Sequence, residues 1–146
     1  MLCVNGYSQE FINQRREQVH SQLESYQNLV ANVKDNAAIE AFEAHFFNNM
    51  LLVLDNLFVN RSRTMEKKDG NPLNELRTLV NSLLNNDGIM LEEKSVKFDP
   101  KKSVLGFKVG DEIRLNEAQF VAIFHAFFAE IEAKFLDTLP SPQISI

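Results

Sequence analysis

The first part of the chain shows apolar residues recurring at helical spacing. From Ser8 to about Lys34, apolar residues return every seven positions, at Ile12, Val19, Tyr26 and Val33, and Leu23 and Val30 fall between them. This pattern predicts one long helix with a narrow apolar seam, in which Arg16 takes a position where an apolar residue is expected. We expect the seam to pack against another helix, either of the same chain or of a second copy.

A second helix is predicted from a cap at Asp35 or Asn36 to about Arg63. Two apolar stripes run along it: Ile39, Phe42, Phe46, Met50, Val53 and Leu57 form one, and Phe47, Leu51, Leu54 and Phe58 form the other. A helix that is apolar around most of its circumference is normally central, so we expect it in the middle of the core.

Four polar residues interrupt this second helix: Asn48, Asn49, Asp55 and Asn56. Buried polar groups are costly unless they are paired. They therefore predict either a solvent-facing edge or a polar network with the neighbouring helices, and the floor of a pocket is a third interpretation.

Two further helices have clear start signals. After a charged loop at residues 64–71, Asn71 can cap a third helix that has Pro72 in its first position and ends in the turn residues 85–88. Asn116 and Gln119 have the spacing of a capping box for a fourth helix. The apolar face of the third helix is Leu73, Leu76, Leu79, Val80 and Leu83, and that of the fourth is Phe120, Phe124, Phe127, Ile131 and Phe135.

Between the third and fourth helices the apolar period changes to two. Residues 94–98 and 105–109 alternate between apolar and polar side chains, which is typical of strands. A three-residue loop from Gly110 to Glu112 would align Val109 with Ile113 and Phe107 with Leu115, so we predict a hairpin with that loop.

The predicted fold class is therefore α+β and predominantly α: a four-helix bundle with a small antiparallel β-meander between helices 3 and 4. A chain of 146 residues is the size of one domain. We predict a single domain over residues 1–146, with a folded core at 8–137 and an extended tail at 138–146.

Composition and charge restrict the environment and the partners. The net charge of −5 argues against a nucleic-acid partner, which needs a basic surface. The most apolar run, residues 46–59, is interrupted by polar residues and is shorter than the ~20 residues of a membrane span, so we expect no membrane association. The single cysteine, Cys3, and the lack of a signal-like start at residues 1–6 predict a protein of the reducing cytoplasm.

The three histidines, His20, His45 and His125, fall on three different predicted helices. If their rings met inside the bundle they could bind a metal ion. Glu17 and His20 also have the Glu-x-x-His spacing of di-iron bundles, although such bundles need a second pair. The alternative is that each histidine is bonded or exposed separately, which is the interpretation we favour, and we predict no cofactor.

Arg15 and His20 form an Arg-x-x-x-x-His element on the first predicted helix. This spacing resembles the Arg-x4–6-His element of the HEPN ribonuclease superfamily, whose members are also small helical bundles. The resemblance covers two residues and implies a nuclease, but in that superfamily the element lies on a later helix.

A cationic corner precedes the third predicted helix. Arg61, Arg63 and Arg77 surround the helix start behind Asn71, where free backbone amides can bind an anion. If the corner is a binding site, its occupant would be a small anionic ligand, a phosphate or a carboxylate. The interpretation that we favour is a solvated charged turn in which Arg61 pairs with Glu66 or Asp69 and no anion binds.

Two segments, KDGNPLNE at residues 68–75 and KVGDEI at 108–113, resemble segments of uncharacterised bacterial proteins of similar size. The resemblance covers the C-terminal two thirds of the chain and implies a bacterial origin without an activity. The chain has no catalytic serine arrangement, phosphate-binding glycine loop, cysteine pair or HExxH motif. We therefore predict a non-catalytic binding or assembly protein that forms a homodimer; the alternative is an enzyme, either the Arg/His nuclease or a metal-dependent hydrolase.

Overall fold

The structure is a computed structural model that describes residues 3–92 and 98–137. In these ranges the chain forms five helices: α1 (Gln9–Asn32), α2 (Asn36–Asn56), α3 (Arg63–Glu66), α4 (Pro72–Asn85) and α5 (Glu117–Phe135). None of them is long and apolar enough to cross a lipid bilayer. The predicted tail at 138–146 lies outside the described residues.

Side-chain caps start the long helices, as their sequences predict. The side chains of Ser8 and Asp35 accept hydrogen bonds from the backbone amides at the starts of α1 and α2. Asn71 caps α4, and Asn116 forms the predicted capping box with Gln119 at the start of α5. These caps satisfy amides that have no partner within the helix, and they confirm the predicted start positions.

The core is rich in phenylalanine and lies where α2, α4 and α5 meet. Among the described residues, those with the largest fully buried side chains include Phe47, Phe58, Phe120, Phe127 and Phe135. Helix α2 contacts α1, α4 and α5, whereas α4 and α5 also pack directly on each other, so the core is shared by these three helices and α2 is not its single centre. Neighbouring rings such as Phe47 and Phe120 stack with centroids 5.3 Å apart, so the core gains aromatic packing in addition to apolar burial.

Helix α1 lies across α2 and α5 through its predicted seam, of which Ile12, Val19, Leu23 and Tyr26 are buried. The seam faces helices of the same chain over this length. Arg16, the exception in the pattern, lies over the ring of Phe128 and bonds to Glu132 of α5. At this seam position a ring contact and an ion pair of Arg16 therefore take the place of the expected apolar contact.

The predicted β-meander is wrong. Within residues 3–92 and 98–137 there is no strand or sheet, only isolated bridges. Most of the first predicted strand falls in residues 93–97, outside the described residues. In the second, the amides of Val104 and Leu105 bond to the carboxylate of Glu75, and the amide of Gly106 bonds to the hydroxyl of Ser103. Side chains thus take the amides that a neighbouring strand would need.

The predicted three-residue loop is wrong for a related reason. A turn closes from Lys108 to Asp111, and residues 110–113 then pair with residues 88–90 instead of with 105–109. The amide of Met90 bonds to the carbonyl of Asp111 at 2.8 Å, and that of Ile113 bonds to the carbonyl of Gly88 at 2.8 Å. The turn after α4 is therefore the partner of this segment.

The second helix ends earlier than predicted. Helix α2 stops at Asn56, and turns at residues 57–60 lead to Arg61. The predicted charged loop then contains the short helix α3, capped by Ser62 and ended at Lys67 by a left-handed conformation, with a φ of 65°. The described residues 3–92 and 98–137 therefore contain one helix more than the predicted bundle.

The segment at residues 4–7 connects two distant parts of the chain. Val4 exchanges backbone hydrogen bonds with Asn60 and Ser62, at 2.9 and 2.8 Å. The amide of Tyr7 bonds to the carbonyl of Phe135, and its carbonyl accepts from Asp137. This short segment thereby joins the end of α5 to the turn after α2.

Candidate functional site

The predicted metal ligands do not meet. His20 lies edge-on against the ring of Phe124 on α5, with centroids 5.7 Å apart, and His125 contacts that same ring. His45 is exposed on α2 and lines a cavity described below. In the part of the chain that the structure describes, no group of three or more His, Cys, Asp or Glu side chains is arranged to hold a metal ion.

Arg15 and His20 contact different parts of the protein. The guanidinium of Arg15 lies 4.5 Å from the ring centroid of Phe11 and bonds to Gln18, both on α1, whereas His20 faces α5. Five residues along a helix turn the direction of the side chain by roughly 140°. The two residues of the nuclease-like element therefore occupy different faces of α1.

The arginine cluster, formed by Asp55, Arg61, Glu66 and Arg77, occupies the predicted cationic corner. Arg61 is buried, with 2% of its surface exposed, and its guanidinium bonds to Glu66 and to Asp55 at 3.0 Å each. Arg77 bonds to both oxygens of Glu66, at 3.1 and 3.0 Å. Two of the three candidate arginines thus bind carboxylates of the protein itself, and Arg63 is exposed on α3.

Asn71, the fourth residue of this candidate site, uses the helix-start amides itself. Its side-chain oxygen accepts from Leu73 and Asn74, at 2.8 and 3.2 Å, and its amide group donates to Glu66 and Asp69. Because these amides already have a partner, fewer free hydrogen-bond donors remain for an incoming anion than an anion site at this corner requires.

The polar residues of α2 divide among the three predicted roles. Asn48 bonds to the carbonyl of Ile113 at 2.8 Å and accepts from the amide of Leu115, and Asp55 belongs to the arginine cluster. Asn49 and Asn56 are exposed. Asn48 and Asn49 also line the cavity described next.

The α2 cavity is an open pocket of about 300 Å³ between α2 and the paired segments 87–88 and 112–114. Apolar side chains and polar side chains both line it. The apolar lining is Ala44, Leu52, Leu83 and Ile113, and the polar lining is His45, Asn48, Asn49, Asp87, Glu112 and Arg114, with Gly88 between them.

Helices α1 and α2 form a helical hairpin, and a second open pocket of about 260 Å³ lies between them. We call this pocket the hairpin groove. Its lining contains no charged residue: it is formed by Gln22, Ser25, Tyr26, Leu29, Phe42 and Phe46. Leu29 and Phe42 are large apolar side chains with 51% and 46% of their surface exposed. Exposed apolar surface that is contiguous marks an interaction site more often than single exposed residues do.

A stack of rings forms the base of the hairpin groove. Tyr26 stacks on Phe46 with centroids 5.3 Å apart and meets Phe47 edge-on at 4.7 Å. Burial raises the pKa of the Tyr26 hydroxyl above its ordinary value, and the carboxylates of Glu43 and Glu117 raise it further. The tyrosine therefore stays neutral, and its ring continues the phenylalanine core out to the surface.

No protein family, curated protein or solved structure matches this chain.

The sequence indicated only part of the hairpin groove. Phe42 and Phe46 belong to a predicted apolar stripe, but the pattern assigned both to the core. Leu29 lies outside the apolar seam of α1, so the seven-residue pattern does not mark it. The signal that could have located the groove is that apolar residues continue to Val33 and resume at Ile39, on both sides of the turn between the helices.

Proposed function

We propose that this protein is a non-catalytic assembly protein in which two copies pair through their hairpin grooves. The observation that carries the proposal is the apolar, uncharged lining of the groove, which includes the exposed side chains of Leu29 and Phe42. Pairing would remove this surface from water, and apolar burial is the main driving force of protein association.

The position of the groove supports pairing because the hairpin projects beyond its neighbours. The first residue of α5, Glu117, bonds to Gln27 of α1 and to Glu43 of α2, at 2.7 and 2.8 Å. Helix α2 begins seven residues before Glu43, so about 10 Å of it lies beyond the start of α5. No residue from 27 to 46 is fully buried in the described chain, so a partner can reach both helices.

A second copy fits this surface because the lining brings no like charges together. In a two-fold dimer each residue of the interface meets the same patch on the partner. A charged lining would then oppose itself, whereas glutamine, serine, leucine and phenylalanine side chains would not. Two projecting hairpins side by side would give four helices around one apolar centre, as in helical bundles.

Light scattering over a range of protein concentrations tests this proposal. We expect a mass of twice the 16.7 kDa chain at micromolar concentration and the mass of one chain in Leu29→Gln. The matched control is Leu84→Gln, since Leu84 is also an exposed leucine on a helix, with 64% of its surface exposed, but lies on α4 outside the groove. A wild-type protein that keeps the mass of one chain contradicts the proposal, as does a Leu29 variant that dimerises like the control.

A further inference from the structure

The α2 cavity has walls that are held in place by hydrogen bonds. On one side, Asn48 of α2 bonds to the backbone of Ile113 and Leu115. On the other side, the segment at 110–113 pairs with Gly88 and Met90 at 2.8 Å. Because both walls are fixed in this way, the space between them is preformed, as is usual for small-molecule sites.

The lining of the α2 cavity combines an apolar base with polar groups. Leu52, Leu83 and Ile113 offer apolar surface to the body of a ligand. The side chains of Asn49 and His45 add polar groups that can take part in hydrogen bonds beside it. A few polar groups around an apolar surface fix the orientation of a ligand and its chemical class.

The charges of the lining do not balance. Glu112 and Arg114 form an ion pair with 3.5 Å between nitrogen and oxygen. The carboxylate of Asp87 has no ion pair within residues 3–92 and 98–137, and it is the remaining charged carboxylate of the lining. The cavity therefore carries one uncompensated negative charge next to its apolar base.

We propose that the α2 cavity binds a small aliphatic primary amine, with its ammonium group on Asp87 and its alkyl chain on Leu52 and Leu83. A carboxylate favours a cationic head group, and hydrogen bonds between an ammonium and a carboxylate are stronger than neutral ones. A simple anion would meet the uncompensated carboxylate of Asp87 and is disfavoured by repulsion. The site is separate from the hairpin groove, so it does not depend on pairing.

Three analogues of equal length test the head group: butylamine, 1-butanol and butyrate, each titrated at the same pH and ionic strength. We expect butylamine alone to shift the amide resonances of Gly88 and Ile113 to saturation in the millimolar range. Shortening the chain to ethylamine should weaken binding, by up to about fourfold for each methylene that leaves the apolar base. Saturable shifts of equal strength with butanol or butyrate would overturn the proposal, and so would an absence of saturation with butylamine.

The variant Asp87→Asn tests the assigned carboxylate. Asp87 has a φ of 53°, a left-handed conformation that asparagine also adopts readily, so the turn should keep its shape. We expect the variant to bind butylamine at least fivefold more weakly than the wild type, with an unchanged melting temperature. Glu24→Gln is the control for overall charge, because Glu24 is exposed on α1 and does not line the cavity. Equal affinity in Asp87→Asn and Glu24→Gln would contradict the assignment.

Discussion

Arg61 is a large cation among apolar side chains, and its surroundings explain why it is tolerated there. Its guanidinium bonds to Glu66, to Asp55 and to the carbonyl of Phe58, and it lies 5.7 Å from the ring centroid of Phe127. Each of these contacts replaces part of the hydration that burial removes. The sequence places Arg61 in a charged turn, where an arginine is normally exposed; its burial depends on α3, whose Glu66 bonds to the guanidinium.

The first prediction concerns this buried arginine. Arg61→Ala should lower the free energy of unfolding by about 3–5 kcal/mol, because it leaves the carboxylate of Asp55 without its partner and the buried carboxylate of Glu66 with Arg77 alone. Arg63→Ala, two residues away but exposed, should change it by less than about 0.5 kcal/mol. Urea denaturation of both variants measures the difference, and equal stabilities would show that the arginine cluster contributes little.

The second prediction concerns the carboxyl group of Asp69. The hydrogen bond from the Asn71 side chain lowers the pKa of Asp69 below its ordinary value of 3.8, with Lys134 and Lys102 adding to the effect. Because the pKa is lower in the folded state, Asp69 stabilises the fold above pH 3.8, and this contribution is lost as the pH falls through the folded pKa.

Asn71→Ala should therefore raise the pKa of Asp69 towards its ordinary value, as measured by NMR titration of the carboxyl carbon. Asn49→Ala removes a similar side chain on α2, far along the chain from Asp69, and should leave the titration unchanged. An unaltered Asp69 titration in Asn71→Ala would mean that the lysines alone lower the pKa.

At the scale of whole elements, Glu75 of α4 holds the loop at residues 103–105. Its carboxylate accepts from the hydroxyl of Ser103 and from the amides of Val104 and Leu105, at 2.7, 2.7 and 3.1 Å. All three partners donate, so the side chain at position 75 must offer hydrogen-bond acceptors only. The loop therefore depends on α4 for its conformation.

The third prediction follows from that geometry. Glu75→Gln should lower the free energy of unfolding by about 1–3 kcal/mol. The side-chain NH2 group of the glutamine would face a donor and leave a buried group unpaired. Glu24→Gln, the same substitution at an exposed site, should change it by less than about 0.5 kcal/mol. Chemical denaturation followed by circular dichroism gives both values; if they agree, the three hydrogen bonds do not determine the stability of the loop.

The sequence predicts the long helices well because their signals are local. Asn116 and Gln119 lie three residues apart, and Asn71 directly precedes Pro72, so each cap can be recognised within a few residues. The conformation of residues 103–113 depends instead on Glu75, some thirty residues earlier, and on the turn after α4. Apolar alternation at Leu105 and Phe107 is typical of a strand, but it could not reveal which groups bind the amides, and no strand forms there.

The candidate sites likewise depend on contacts between distant parts of the chain and not on local signals. Phe42 has the spacing of a core residue, yet α4 has 14 residues against 21 in α2 and cannot cover all of it. Whether an apolar side chain is covered depends on the lengths and positions of other helices, which a pattern along one helix does not contain. The α2 cavity depends in the same way on pairing between segments that are distant in sequence.

At the scale of the whole molecule, local stability should be higher in α5 than at the end of the α1–α2 hairpin. The interior of α5 has seven buried residues, whereas residues 27–46 at the end of the hairpin have none in the described chain. Helices in proteins are stabilised mainly by packing, so the hairpin end should open more often than the core.

The fourth prediction is therefore a gradient of hydrogen exchange. At protein concentrations low enough to keep one chain apart from another, the amides of residues 28–42 should exchange faster than those of residues 120–131. Mass spectrometry of peptic peptides measures both regions in one experiment. Equal protection in the two regions would show that the hairpin is stable without packing.

The segment at residues 4–7 also constrains the order in which the protein folds during its synthesis. Its partners at Asn60 and Ser62 leave the ribosome long before Phe135 and Asp137, to which Tyr7 bonds. At about 5–20 residues per second, the interval between residues 62 and 137 is roughly 4–15 seconds. During that time Val4 can be held while the ring of Tyr7 lacks Phe135. Until α5 is made, the ring of Tyr7 therefore packs only against Phe11 and Phe58, and the side that later contacts Phe135 stays exposed.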